Sequence, residues 1–96
     1  MLKKIAFLLV GLLTLSVSAQ KVERILILQD EETHQPIEDA TVTLLKTKEN
    51  LLSNAEGVVT FELTGATNIQ IRHSSYLPVN IRSLSLKEKS TVVYLR

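Results

Sequence analysis

Two histidines, His34 and His73, and an acidic triplet, Asp30-Glu31-Glu32, are the residues of this 96-residue chain with the most obvious capacity for chemistry. A histidine titrates near neutrality and ligates metals, but a zinc site needs three or four Cys, His or carboxylate ligands at motif spacing. The chain has no cysteine and its histidines stand 39 residues apart, so no metal motif forms. The expectation is a solvated loop histidine at position 34 and a half-buried strand histidine at 73. A calcium loop alternates its oxygen ligands around a glycine bend, whereas Asp30, Glu31 and Glu32 are consecutive, so they read as a solvated acidic loop. No serine lies in a nucleophile elbow and no glycine-rich phosphate loop occurs. Tyr76 and Tyr94 are candidates for a binding surface, with Tyr76 expected at the domain rim and its hydroxyl in water. The residues therefore nominate no catalytic, cofactor or metal site, and the reading is of a protein that is not an enzyme.

The elements that would position such residues begin after an N-terminal export signal. Met1–Lys4 is basic, Ile5–Leu15 is apolar and Ser16–Ala19 is small, with Val17 and Ala19 where a signal peptidase reads. The apolar run is well short of the roughly 20 residues of a spanning helix, so cleavage after Ala19 and no lasting membrane span are expected. Residues 20–96 then form one small domain of 77 residues. Lys3 and Lys4 leave with the signal, so 9 basic residues face 10 acidic ones and the net charge changes from +1 to about −1. That balance gives no basic surface for nucleic acid. An exported domain of this size without cysteine has to be held by apolar burial and strand pairing.

Short apolar groups separated by turn chemistry predict an all-β chain. The clearest stretch is Ser53–Leu63. Asn54 and Gly57 form a turn, with Gly57 at positive φ, and then Val59, Phe61 and Leu63 alternate with Val58, Thr60 and Glu62. Further strands are expected at Val22–Leu28, Ala40–Leu45, Leu51–Leu52, Asn68–His73, Val79–Leu84 and Thr91–Leu95. Four consecutive apolar residues, Ile25–Leu28, imply burial on both faces or a contact outside the domain. Pro78 has no N–H for a ladder and belongs at an edge or a strand start. The expected fold is a small two-sheet antiparallel β-sandwich of about seven strands, of Greek-key type.

The segment Thr33-His34-Gln35-Pro36-Ile37-Glu38-Asp39-Ala40-Thr41-Val42 resembles the "Thr-Gly-x-Pro-Leu-x-Gly-Ala-x-Val" pattern of carboxypeptidase regulatory-like domains, the transthyretin-like sandwiches of exported Bacteroidetes-type proteins. Asp30 matches the acidic residue that closes their first strand. Ser53-Asn54-Ala55-Glu56-Gly57-Val58-Val59 is similar to their "Thr-Asp-x-x-Gly-x-Phe" turn, and His73-Ser74-Ser75-Tyr76 lies where they carry an apolar residue and "Gly-Tyr". Where the family has glycine, this chain has Leu26, His34, Asp39 and Ser75. His and Asp tolerate a left-handed backbone better than most residues, so His34 and Asp39 are expected to hold the same turns. The resemblance implies a divergent member and a non-catalytic module at the periplasm, outer membrane or cell surface. Its implied partner is an envelope protein or glycan. The alternatives it carries are the N-terminal part of an outer-membrane TonB-dependent receptor and the accessory domain of a peptidase.

Overall fold

The computed structural model describes residues 21–96; the expected signal peptide, 1–19, lies outside them. Seven strands follow in order: β1 (Val22–Asp30), β2 (Thr41–Leu44), β3 (Glu49–Leu52), β4 (Val58–Leu63), β5 (Asn68–His73), β6 (Tyr76–Arg82) and β7 (Ser90–Leu95). They form a three-stranded sheet, β4-β1-β7, facing a four-stranded sheet, β3-β2-β5-β6. Among the described residues no helix is long and apolar enough to cross a membrane.

Alternation decides which residues meet between the layers. Leu26 and Leu28 of β1, Val59, Phe61 and Leu63 of β4 and Leu95 of β7 point inward from one sheet. Val42, Leu44, Ile69 and Ile71 meet them from the other, and Ile37, Ala40 and Leu86 fill in from the connections. With no cysteine to form a disulfide, this seam and the strand ladders hold the domain. Ser53 and Ser83 are buried polar residues beside the seam, and the Ser83 hydroxyl accepts the Thr67 N–H; Ser53 lies deeper. Its hydroxyl donates to the Ile37 carbonyl at 2.7 Å and accepts the Ala40 N–H at 2.9 Å, so its burial leaves no orphaned group.

The sandwich and the strand count agree with expectation, and four of the five ladders are antiparallel. The exception is β1 with β7, which run parallel, Ile25 opposite Ser90 through Asp30 opposite Leu95. The chain leaves β6 in one sheet, makes a 3-10 turn at Ser83–Ser85 and crosses to the other, so β7 arrives running in the direction of β1.

Strand bounds move at several ends: β2 is Thr41–Leu44 rather than Ala40–Leu45, β3 begins at Glu49 rather than Leu51 because Glu49 and Asn50 pair with Leu44 and Thr43, and β7 begins at Ser90 rather than Thr91. β1 continues to Asp30 because the Asp30 N–H donates to the Gln35 carbonyl and Gln29 bridges Pro36. β6 begins at Tyr76 rather than Val79 and ends before Leu84, which is 71% exposed. Pro78 is tolerated inside it because β6 is an edge strand and the β5–β6 register slips between Ile71 and His73. The 3-10 turn then drops Leu86 into the core.

The turns hold as the residues require. Gly57 has φ +76°, and a Cβ there would stand 2.4 Å from the Leu28 carbonyl oxygen. Asn54 closes the same turn, its Oδ1 accepting the N–H groups of Glu56 and Val58. His34 (φ 62°) and Asp39 (φ 65°) are left-handed, as expected of residue types that tolerate that backbone. Leu26 and Ser75 stand differently: Leu26 is a fully buried strand residue and Ser75 lies in the β5–β6 turn, neither with positive φ.

Candidate interaction surface

Asp30 is the hub of the loop end of the sandwich. It closes β1, and its Oδ1 accepts the N–H groups of Glu32 (2.8 Å) and Thr33 (3.0 Å), while its carbonyl accepts that of His34 (2.8 Å). Its Oδ2 accepts the Tyr76 hydroxyl at 2.8 Å, which ties β1 of one sheet to β6 of the other. The hydroxyl expected in water is therefore committed to Asp30, a partner 46 residues away that local pattern does not reveal. Donation from the Thr33 backbone, then from Tyr76 and Glu32, holds the Asp30 carboxyl below its ordinary value. The same bond to Asp30 raises the Tyr76 phenol above its ordinary value.

Both histidines stand at this end, each against a tyrosine. His34 is exposed and lies tilted against Tyr94, ring centroids 5.3 Å apart, and half-buried His73 meets Tyr76 edge-on at 5.3 Å. Both ring nitrogens of His73 are occupied: Nδ1 accepts the Ser75 N–H at 3.1 Å, and Nε2 faces the Glu38 carbonyl at 3.2 Å. A carbonyl only accepts, so the proton sits on Nε2. Glu31 is engaged by Arg96, with Nε to Oε1 at 2.9 Å and Nη2 to Oε2 at 3.3 Å. Among the described residues no group of three His, Cys, Asp or Glu is placed to hold a metal ion. Asp30 thus serves both the loop and the link between the sheets, and His73 the turn after β5.

The outward faces of the sheets are where the surface becomes distinctive. On the three-stranded sheet the register aligns Val58, Ile27 and Val92 in one row across β4, β1 and β7. Ile25 lies beside it, and the row on the other side pairs Gln29 with Tyr94. Val92 and Tyr94 are 42% and 49% exposed, while Ile25, Ile27 and Val58 are half-buried by their neighbours. One end of this apolar strip is rimmed by charge: Glu23 stands directly opposite Glu62, and the repulsion is relieved by Lys89 on Glu23 (3.2 Å) and Lys21 on Glu62 (3.9 Å).

The four-stranded sheet turns a different face outward. Asn50, Thr43, Gln70 and Asn80 align across β3, β2, β5 and β6, and the Thr43 hydroxyl donates to Asn50 Oδ1 at 2.7 Å. The next row is mixed: Thr41 and Arg72 are polar, while Leu52 on the edge strand β3 is 65% exposed.

The run Ile25–Leu28 thus resolves into two inward and two outward residues: Leu26 and Leu28 are core, and Ile25 and Ile27 are half-buried on the outward face. The contribution of Val92 and Tyr94 to the same strip is visible only once β7 is known to lie beside β1. No family model matches the chain, and no curated protein or solved structure does either.

Proposed function

We propose that this protein is a non-catalytic, exported interaction module of the cell envelope, and that its partner is an envelope protein seated on the outward face of the three-stranded sheet. The observation that carries the proposal is the strip Ile25, Ile27, Val58, Val92 and Tyr94, which runs unbroken across all three strands of one outward face. The middle row of the other outward face is amide and hydroxyl, and its exposed Leu45 and Leu52 stand apart at the end of β2 and on the edge strand β3. An apolar patch with a charged rim is the ordinary anatomy of a protein–protein contact. Glycans are held by aromatic faces flanked by hydrogen-bonding groups; here Tyr94 is the one aromatic of a strip otherwise made of branched aliphatics, which favours protein over glycan. Export is supported by the basic, apolar and small-residue layout of residues 1–19. Kinship with carboxypeptidase regulatory-like domains is supported by the left-handed backbone at His34 and Asp39, two positions where that family has glycine.

A photocrosslinking amino acid at Val92, with Asn80 as control, tests the reading in the native envelope. One dominant protein adduct is expected from Val92 and none from Asn80, and Ile27→Lys should reduce the Val92 adduct at least tenfold. Equal labelling from both faces would overturn the surface. Ester, peptide or glycoside hydrolysis by the purified domain, lost in His34→Ala or His73→Ala, would overturn the non-catalytic reading.

A further inference from the structure

A second surface is built from main chain rather than side chains. The Leu28 N–H donates to the Gly57 carbonyl at 2.8 Å, and antiparallel alternation from that point aims the main-chain groups of Val59, Phe61 and Leu63 at β1. Those of Thr60 and Glu62 therefore point away, along an edge that no described strand covers. The open stretch is bounded on both sides. Asn54 caps Val58, its Oδ1 accepting the Val58 N–H at 2.9 Å and its N–H donating to the Val58 carbonyl at 3.2 Å, and Lys46 Nζ reaches the Thr64 carbonyl at 3.4 Å. The edge of β6 differs: Pro78 interrupts it and the Leu77 N–H is tied to the Arg96 carbonyl. Beside the β4 edge, between β3 and β4, lies a cleft of about 270 Å³ whose lining includes Lys21, Leu51, Phe61 and Glu62.

We infer that this edge pairs with the β4 edge of a second copy of the chain, antiparallel about a twofold axis at Phe61, joining two three-stranded sheets into one of six. The bounds select the register. With Phe61 opposite Phe61 of the second copy, Thr60 faces Glu62 and Glu62 faces Thr60, and each pair exchanges both N–H···O bonds, using every open group of the stretch. Moving the axis to Thr60 would place Val58, already capped by Asn54, in the ladder. Moving it to Glu62 would set two carboxylates directly opposite. The selected register keeps Glu62 opposite a threonine, with Lys21 beside it in each copy at 3.9 Å, so the junction is neutral. The Phe61 pair is of the closely spaced, non-hydrogen-bonded kind, about 4.5 Å between Cα atoms, with both side chains directed into the inward seams beside the clefts. A contact of this extent is small, so association depends on concentration.

Sedimentation velocity on residues 20–96, which contain every described strand and the whole described core, tests the inference between about 10 μM and about 1 mM. The sedimentation coefficient should rise toward that of a dimer across this range. Thr60→Pro removes an N–H that β1 does not use, and is expected to stay monomeric throughout with an unchanged far-ultraviolet spectrum. Amide shifts of the unaltered protein give a readout that does not depend on the variant folding: the N–H resonances of Thr60 and Glu62 should move with concentration, and those of Ile27 and Val92 should not. A monomer at every concentration overturns the inference. So does a dimer that persists in folded Thr60→Pro, or shifts confined to Ile27 and Val92. The photocrosslinking from Val92 reads a different face, so either proposal can fail alone.

Discussion

The outward faces of the two sheets follow the same period-2 rule and differ at their centres, one lined by a continuous apolar strip and the other by amides and hydroxyls with Leu45 and Leu52 only at its margins. In β2 and β5, threonine, glutamine and arginine alternate with buried Val42, Leu44, Ile69 and Ile71, the pattern of a sheet with one face in water. In β1 and β7 the alternation of burial is the same, yet Ile25, Ile27, Val92 and Tyr94 take the outward positions. Water would accept either face, but apolar side chains outside the core add nothing to the seam between the sheets. The difference separates the demands of folding, which both sheets meet with their inner faces, from a demand placed on one sheet alone.

The largest effect expected from any single change tests whether the three-stranded sheet can be built differently. Gly57 sits where the turn before β4 approaches β1, and a Cβ there meets the Leu28 carbonyl oxygen at 2.4 Å on top of the strain of φ +76°. Gly57→Val should destabilise by about 3–5 kcal/mol in chemical denaturation, combining left-handed strain with overpacking. A loss below about 1 kcal/mol would mean that the turn relaxes freely and does not hold the edge of that sheet in place.

The comparison of faces is sharpened by neighbouring residues of one strand. Leu28 is fully buried, so Leu28→Ala should cost about 2–5 kcal/mol. Ile27 points outward, so Ile27→Thr should cost about 1 kcal/mol or less while removing part of the apolar strip. Equal losses in urea unfolding would make the outward face a second core and end its reading as a contact surface.

How far this contrast was legible beforehand differs between the faces. The inner seam was visible because alternation is local: Val59, Phe61, Leu63, Ile69 and Ile71 declared themselves, and Gly57, His34 and Asp39 took the backbone their positions in the turns require. The outer strip needs β1 and β7 side by side, a parallel pairing across more than sixty residues that no local pattern encodes. The Asp30–Tyr76 bond was hidden for the same reason, since each residue was read alone as polar loop and wet rim. Lys48, left-handed at φ 64°, carries no turn signal in its side chain; its position is imposed by the tight β2–β3 connection.

The link between the two sheets predicts a pH dependence. Asp30 is held below its ordinary value of 3.8, so its charged form stabilises the fold at pH above that value, and the contribution is lost as pH falls through the lower folded value. Tyr76 is shifted upward from 10.0, so its protonated form contributes below that pH and the contribution is lost as pH rises through the higher folded value. Melting temperature should therefore fall at both extremes, and Asp30→Asn should flatten the acid limb more than Glu32→Gln, whose carboxylate takes no part in the Tyr76 bond. An acid limb unchanged in Asp30→Asn would separate the two sheets' stabilities from this contact.

The smallest expected effect lies in the polar sheet. Asp39 at φ 65° has a short side chain suited to left-handed backbone, whereas Lys48 at φ 64° closes the β2–β3 connection with a long one that gives no such help. The Lys48 N–H donates to the Leu44 carbonyl at 2.7 Å, so the turn's hydrogen bond is independent of the side chain. Lys48→Gly removes the Cβ strain and keeps that bond, but it also frees the unfolded chain. The balance is a gain of about 0.5–1 kcal/mol, and Asp39→Gly should gain less. Thermal melting of the two variants side by side checks the ranking. A loss in Lys48→Gly would mean that the aliphatic stem of Lys48 packs usefully against the hairpin, and that the polar sheet owes part of its stability to a side chain outside its strands.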